Sequence, residues 1–222
     1  MKVHYLILPA TLLMVSAAER FDHLVREDFF AGFAGNAERL EMGMQKTETA
    51  LKENPNHAEA LVWHGGGLFY QSNRFFQRQD FAKGMELFQK GVAEMARAVE
   101  LEPNNIGVRV PRAATLAGGA RFMPPQMAKP LFDMILDDYY TVYEMQKDQL
   151  DELGAHPKGE LLFGLADINS RAGNTEKADF FYKLINDKMP GTPYAKRAAK
   201  WFETRQPLPP AQTQCIGCHA GK

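Results

Sequence analysis

Apolar residues recur at three- and four-residue intervals along most of the chain. In AERLEMGMQKTETALKE, DFAKGMELFQKGVAEMARAVELE and EKADFFYKLINDK this spacing gathers the apolar groups on one side of a helix that turns about every 3.6 residues. Glycine and proline punctuate the pattern, valine and isoleucine are sparse, and no stretch alternates convincingly with period two. The pattern predicts an all-α fold.

Stacking the segments that close these helices exposes a repeat. TALKENPNHAEAL around Pro55, RAVELEPNNIGV around Pro103 and LINDKMPGTPYAK around Pro190 share a helix end followed by a proline-containing turn. In the last unit Leu162, Leu165, Ala166, Ala178, Tyr182 and Pro190 stand at the spacings W-x2-L-G-x2-Y, A-x3-F and P. The unit ending at Pro103 contributes Leu61, Gly65, Leu68 and Ala98. These residues resemble the tetratricopeptide (TPR) repeat, which implies antiparallel helix pairs stacked into an α-solenoid. Pro55 and Pro103 are 48 residues apart where the repeat has 34, so about 14 residues, around Gln71 to Lys83, are additional.

Two stretches diverge from the repeat. The first unit, about 24 to 57, matches only through Phe30, Ala31, Ala50 and Pro55. Residues 106 to 153 predict a helix from about Pro111 to Phe122, a break at Pro124-Pro125 and a helix from about Ala128 to Leu153. The second helix has the apolar stripe Leu131, Met134, Ile135, Tyr139, Val142 and Met145, and Tyr139, Tyr140 and Tyr143 suit a helix contact. TPYAKRAAKWFETR predicts a solvated capping helix.

The two ends read differently from the body. Lys2, an apolar run from Tyr5 to Val15 and the small residues Ser16, Ala17 and Ala18 follow the order of a secretory signal peptide, with cleavage near Ala17 or Ala18. An amphipathic first helix is the competing reading. QPLPPAQTQ has three prolines in four residues, which predicts an extended linker that cannot continue a helix. The expected organisation is therefore 1–18 signal peptide, 19–205 TPR-like helical domain, 206–214 linker and 215–222 a functional tail.

That tail contains both cysteines of the chain, in Cys215-Ile216-Gly217-Cys218-His219. C-x-x-C-H is the attachment signature of c-type haem: two thiols join the vinyl groups of one porphyrin, and the next imidazole becomes the proximal iron ligand. A structural zinc site would need ligands from elsewhere, and a thioredoxin-like pair would need a surrounding fold. The five residues resemble those of c-type cytochromes, which implies one covalent haem c and electron transfer. The resemblance ends there. Small cytochromes c place most of their domain after the motif, and cytochromes of the c-prime type place it on a bundle helix.

With three residues after His219, a distal iron ligand is expected from upstream or from another protein, an open iron site being the alternative. The candidates are His64, beside Gly65, Gly66 and Gly67, and Met123, in GGARFMPP; His156 and His57 follow. Glycine triplets cost a helix about 1 kcal/mol per residue and mark close approach, whether of a flat cofactor or of another helix. Arg112, with Arg109 and Arg121, is a candidate for pairing with haem propionates. Asp137-Asp138 and Asp151-Glu152 read as solvated helix faces.

Across 222 residues, 26 lysines and arginines meet 27 aspartates and glutamates, so no basic footprint calls for nucleic acid. No phosphate-binding glycine loop, zinc-protease motif or nucleophile elbow occurs. The expectation is an exported, periplasmic or extracellular monohaem cytochrome exchanging electrons with a docked redox protein. The alternatives are an adaptor whose haem tail enters a membrane-bound or multi-haem complex, with homo-oligomerisation open, and a five-coordinate haem protein that binds a small ligand.

Overall fold

The periodic segments fold as helices, and the turns between them carry the residues that end helices. The structure, a computed structural model, describes residues 20–213. The α-helices among the described residues are α1 (Phe21–Phe33), α2 (Ala37–Glu53), α3 (Ala58–Gln77), α4 (Phe81–Leu101) and α5 (Ile106–Ala120), then α6 (Pro125–Gln146), α7 (Ala155–Arg171), α8 (Thr175–Lys188) and α9 (Pro193–Thr204). Side chains of Asn36, Asp80, Asn105 and Thr192 accept hydrogen bonds from first-turn amides of α2, α4, α5 and α9. None of these helices is long and apolar enough to cross a membrane.

The helices pair as α1/α2, α3/α4, α5/α6 and α7/α8. Each odd helix also adjoins the next odd one from α1 to α7, and each even helix adjoins the odd helix that follows it. The result is a solenoid-like array with an inner row of odd helices and an outer row of even ones. α3 and α7 are enclosed on every side: residues 60–69 and 158–170 are continuously buried except Glu160. All-round burial requires an almost wholly apolar sequence, which LVWHGGGLF and LLFGLADIN supply. Leu162, Leu165, Ala166, Ala178 and Tyr182 are all fully buried, as their repeat positions require. Burying a leucine or isoleucine stabilises by roughly 1.5–3 kcal/mol, so these positions outweigh the helix propensity of the same residues. At the end of the array Tyr182 stacks on Trp201 of α9, with ring centroids 5.3 Å apart.

The additional stretch around Gln71 to Lys83 lies where the spacing put it, and all of it but the turn at Arg78–Asp80 is helical, closing α3 and opening α4. α3 and α4 have 20 and 21 residues, against 17 and 14 in α7 and α8. Against α7 and α8 the excess is three residues on α3, close to one turn, and seven on α4, about two turns, so this pair is lengthened in nearly whole turns. A short turn at Arg78, Gln79 and Asp80 joins them, with Gln79 in the left-handed region at φ 62°. Gly84 lets the Phe76 ring lie flush on α4, where a Cβ would come within 2.6 Å of it.

Several expectations change. α5 begins at Ile106, five residues before Pro111, because Asn105 caps it; α6 begins at Pro125, a proline suited to a first helical position. Pro111 and Pro130 sit inside their helices at the sixth residue, where only one early hydrogen bond is lost. α6 ends at Gln146 in a 3-10 turn, Lys147–Gln149, and does not reach Leu153. Met145, counted in the apolar stripe, is exposed, whereas Leu131, Ile135, Tyr139 and Val142 are buried. The expected tyrosine contact forms: Tyr140 and Tyr143 meet Phe181 of α8.

Asp138 is not on a solvated face. It is fully buried, and Arg109 and Arg112 of α5 both donate to its carboxylate, at 2.8 Å and at 2.6 and 2.7 Å. Burial pushes the Asp138 carboxyl above the usual aspartate value, and the hydrogen bonds and charges of Arg112 and Arg109 offset this only in part. Asp137 and the pair Asp151-Glu152 are exposed as expected.

The proline strip is not a free extended linker. Arg205 turns the chain back at φ 57°, Leu208 and Thr213 are buried, and Pro210–Gln212 form a 3-10 turn. The lone leucine supplies an apolar anchor. The guanidinium of Arg171 also donates to the Leu208 carbonyl.

Candidate functional site

Cys215, Cys218 and His219 lie outside the described residues, as does the expected signal peptide 1–18. The chemistry that can be described is therefore that of the upstream candidates and of the strip leading to the motif.

His64, on α3, faces the outer helices α2 and α4. It is 6% exposed, its Nδ1 is 2.6 Å from Glu94 Oε2 on α4, and its Nε2 is 3.8 Å from Glu48 Oε1 on α2. The neighbouring glycines are explained by packing against three partners. A Cβ on Gly65 would meet the Gly91 carbonyl at 2.7 Å, and one on Gly67 would meet the Met44 sulfur at 2.3 Å; Gly66 faces Thr115 of α5. Helices, not a flat cofactor, approach this triplet. The propensity cost of three glycines is offset by bringing α2, α4 and α5 close to α3 at once.

Met123 occupies the corner where α5 ends and α6 begins. Its amide donates to the Ala120 carbonyl at 3.2 Å and the residue is half-buried. Beside it Phe122 is 68% exposed and Met127 59% exposed, two large apolar side chains left in water at one bend. His57 is engaged as the N-cap of α3, its Nδ1 accepting from the Ala60 amide at 3.3 Å while its ring packs on Phe21. His156 is exposed at the start of α7, with Nδ1 3.5 Å from the Tyr194 hydroxyl.

Arg112 and Arg109 are committed to Asp138, and both are buried. Arg121 donates to Asp167 of α7 at 2.8 Å. Asp167 is fully buried and also accepts from Arg171 at 3.1 Å, and Arg171 in turn holds the carbonyl of Leu208. A continuous relay thus runs from the end of α5, through α7, to the proline strip. Sequence reading named Arg121 and passed over its partner. The available signal was an aspartate inside the apolar run LLFGLADIN, where an acidic group must find a cation.

Elsewhere, a shallow cleft of about 520 Å³ between α1 and α2 is lined by Phe21, Leu24, Lys46 and His57. It lies at the opposite end of the array from the proline strip. No group of three or more metal-binding side chains occurs among the described residues.

No protein-family model, curated protein or solved structure matches the chain. Any functional reading therefore rests on the motif and on the residues around its root.

Proposed function

We propose that the chain is an exported monohaem c-type electron carrier on a tetratricopeptide-type array. The observation that carries this reading is Cys215-Ile216-Gly217-Cys218-His219, which concentrates both cysteines of the chain in one haem-attachment sequence. The tetratricopeptide assignment is supported by the alternation of inner and outer helices and by the burial of Leu61, Leu68, Leu162, Leu165 and Tyr182 at repeat positions.

When bound, haem c supplies a one-electron couple at iron. The chain's own residues would hold it: Cys215 and Cys218 through thioethers, each thiol adding across one vinyl group, and His219 by offering its imidazole to the iron. Arg171 and Leu208 fix the root of the tail to α7. Of the distal candidates, Met123 fits better than His64: it borders an exposed apolar corner on the relay to the root, while His64 is enclosed by Glu48 and Glu94. Arg112 would have to abandon Asp138 to reach a propionate, which would strand a buried carboxylate.

The adaptor reading, in which the tail enters a larger assembly, is favoured by Phe81 and Met85. These are 65% and 39% exposed on the overhang of α4.

The test is production of the full chain in a host with haem-attachment machinery, followed by a haem stain on a denaturing gel and intact mass. The expected result is one covalent haem per chain, lost in Cys215→Ser/Cys218→Ser, with processing near Ala17 or Ala18. A chain without covalent haem in a competent host overturns the assignment. An assembly partner co-purifying through the overhang, and lost in Phe81→Ser/Met85→Ser, would support the adaptor.

A further inference from the structure

We propose that the open face of α2 is the interface of a twofold dimer, in which a second copy of the chain lies antiparallel across the cleft between α1 and α2. This does not rest on the haem reading above.

The two ends of the array differ. α9 covers α8 and turns Lys196, Lys200 and Glu203 to water, as the closing helix of a stacked array should. At the other end α1 and α2 pack on each other and on α3, and their far sides are left to solvent, with Leu24 49% and Met42 43% exposed. This pair also splays. A Cβ on Gly32 would stand 2.6 Å from that of Leu40, and one on Gly43 would stand 3.0 Å from the Phe29 ring, so the helices touch over the first half of α2. Two turns on they part around the cleft of about 520 Å³, with Phe21 and Leu24 on one wall and Lys46, Thr49, Ala50 and Glu53 on the other.

The α2 wall is its own complement. Lys46 and Glu53 stand seven residues, about 10.5 Å, apart on one face of the helix, with the small residues Thr49 and Ala50 midway. An identical helix running antiparallel across that midpoint sets each Lys46 against Glu53 of the second copy, and Thr49 and Ala50 let the two backbones approach closely. Both charges are available. Glu53 is exposed and has no ion pair among the described residues, and Lys46 donates to Asp28 and to the Leu24 carbonyl, which leaves its third N–H. The same register brings Met42, one turn before Lys46, to Phe21 and His57 of the second copy, whose rings are in contact at a centroid distance of 4.6 Å. An unrelated partner would need a matching pattern of its own; a second copy has it by symmetry. Two crossed helices with one flanking wall make a small interface, so the dimer is weak and sensitive to salt.

The test is sedimentation of the full chain over a concentration series from micromolar to millimolar. The wild type is expected to pass from monomer to dimer within that range. Glu53→Lys, which sets lysine against lysine, and Thr49→Arg, which puts a long cation at the crossing point, should each weaken the dimer by roughly tenfold or more. Both positions are exposed, and an unchanged circular dichroism spectrum shows that the fold is kept. In a Cys215→Ser/Cys218→Ser background, Thr49→Cys should give a crosslinked dimer on mild oxidation, and Lys200→Cys on α9 should not. A chain that stays monomeric, whether residues 1–19 or another protein takes the cleft, overturns the proposal. So does a dimer that survives Thr49→Arg, or one that crosslinks through Lys200→Cys and not through Thr49→Cys.

Discussion

Two buried aspartates use the same chemistry for different ends. Asp138 and Asp167 are each fully buried, and each is gripped by two arginines. The Asp138 cluster joins α5 to α6 and stops there, apart from Arg109 reaching back to the Pro103 carbonyl. The Asp167 cluster joins α5 to α7 and passes on through Arg171 to the strip that leads to the cysteine motif. A carboxylate between two guanidiniums is thus not informative by itself. What distinguishes a rivet from a coupling is whether one of the arginines has a donor left for something that could come and go.

The largest effect should come from Asp138→Ala. It leaves Arg112 only Asp137 at 3.6 Å and Arg109 only Asp137 and the Pro103 carbonyl. Removing one partner of a buried pair costs about 3–5 kcal/mol, and with Asp137 still present a loss of about 3 kcal/mol is expected, read as a lower midpoint in urea unfolding. Replacing Asp138 by Leu together with Arg109 and Arg112 by Met should restore most of that stability, because a packed apolar cluster is often as good as a buried ion network. If the triple variant is as unstable as Asp138→Ala, the cluster does more than hold α5 on α6.

Next in size is Asp167→Asn, which keeps the shape but weakens the hold on Arg121 and Arg171. A loss of about 1–3 kcal/mol is expected, together with faster proteolysis within residues 206–213. Arg171→Leu separates the two roles. It should release the strip with under about 1.5 kcal/mol lost overall, whereas no change at Asp138 should affect proteolysis of the strip in the folded protein. Equal susceptibility of the strip in wild type and Arg171→Leu would erase the distinction between the two clusters.

The smallest effect belongs to a third aspartate. Asp28 of α1 is buried, but its partners on α2, Arg39 and Lys46, have side chains 41% and 47% exposed. Burial pushes its carboxyl up, yet the hydrogen bonds and charges of Lys46 and Arg39 outweigh this and hold it below the usual aspartate value. A carboxyl lowered on folding stabilises above its unfolded pKa, and that stabilisation is lost as pH falls through the lower folded value. Asp28→Asn should therefore cost about 1 kcal/mol at pH 7, and the two proteins should converge below the ordinary carboxylate range. A gap that persists in acid would assign the effect to packing.

The three aspartates also show how much of the molecule is legible in its sequence. Helix pairing was readable because Pro55, Pro103 and Pro190 mark ends that local chemistry imposes, and the position of the overhang followed from their spacing. That it would be helix was not, since an insertion leaves no sign of whether it loops or lengthens a pair. Asp138 was misread because it adjoins Asp137, and a two-residue acidic step looks the same whether one or both face water. The glycines at 65–67 announced close approach without saying of what; the answer depended on Gly91, Met44 and Thr115, which come from three other helices. Pro111 was mistaken for a start because Asn105, the actual cap, lies in a turn already rich in asparagine. The docking of Leu208 depends on an arginine 37 residues earlier, a separation that no local pattern records.

The overhang of α3 and α4 has a consequence for how such an array changes length. Because the excess over α7 and α8 is close to whole turns, three residues on α3 and seven on α4, the faces that meet below it keep their angular setting, and Gly65 still meets Gly91. Insertions of nearly whole turns act as a telescoping section: they alter the height of one helix pair and nothing beneath it. A lineage, or an engineer, could therefore raise or lower this pair in steps of about one helical turn, roughly 5.4 Å, while leaving the stacked base as it was.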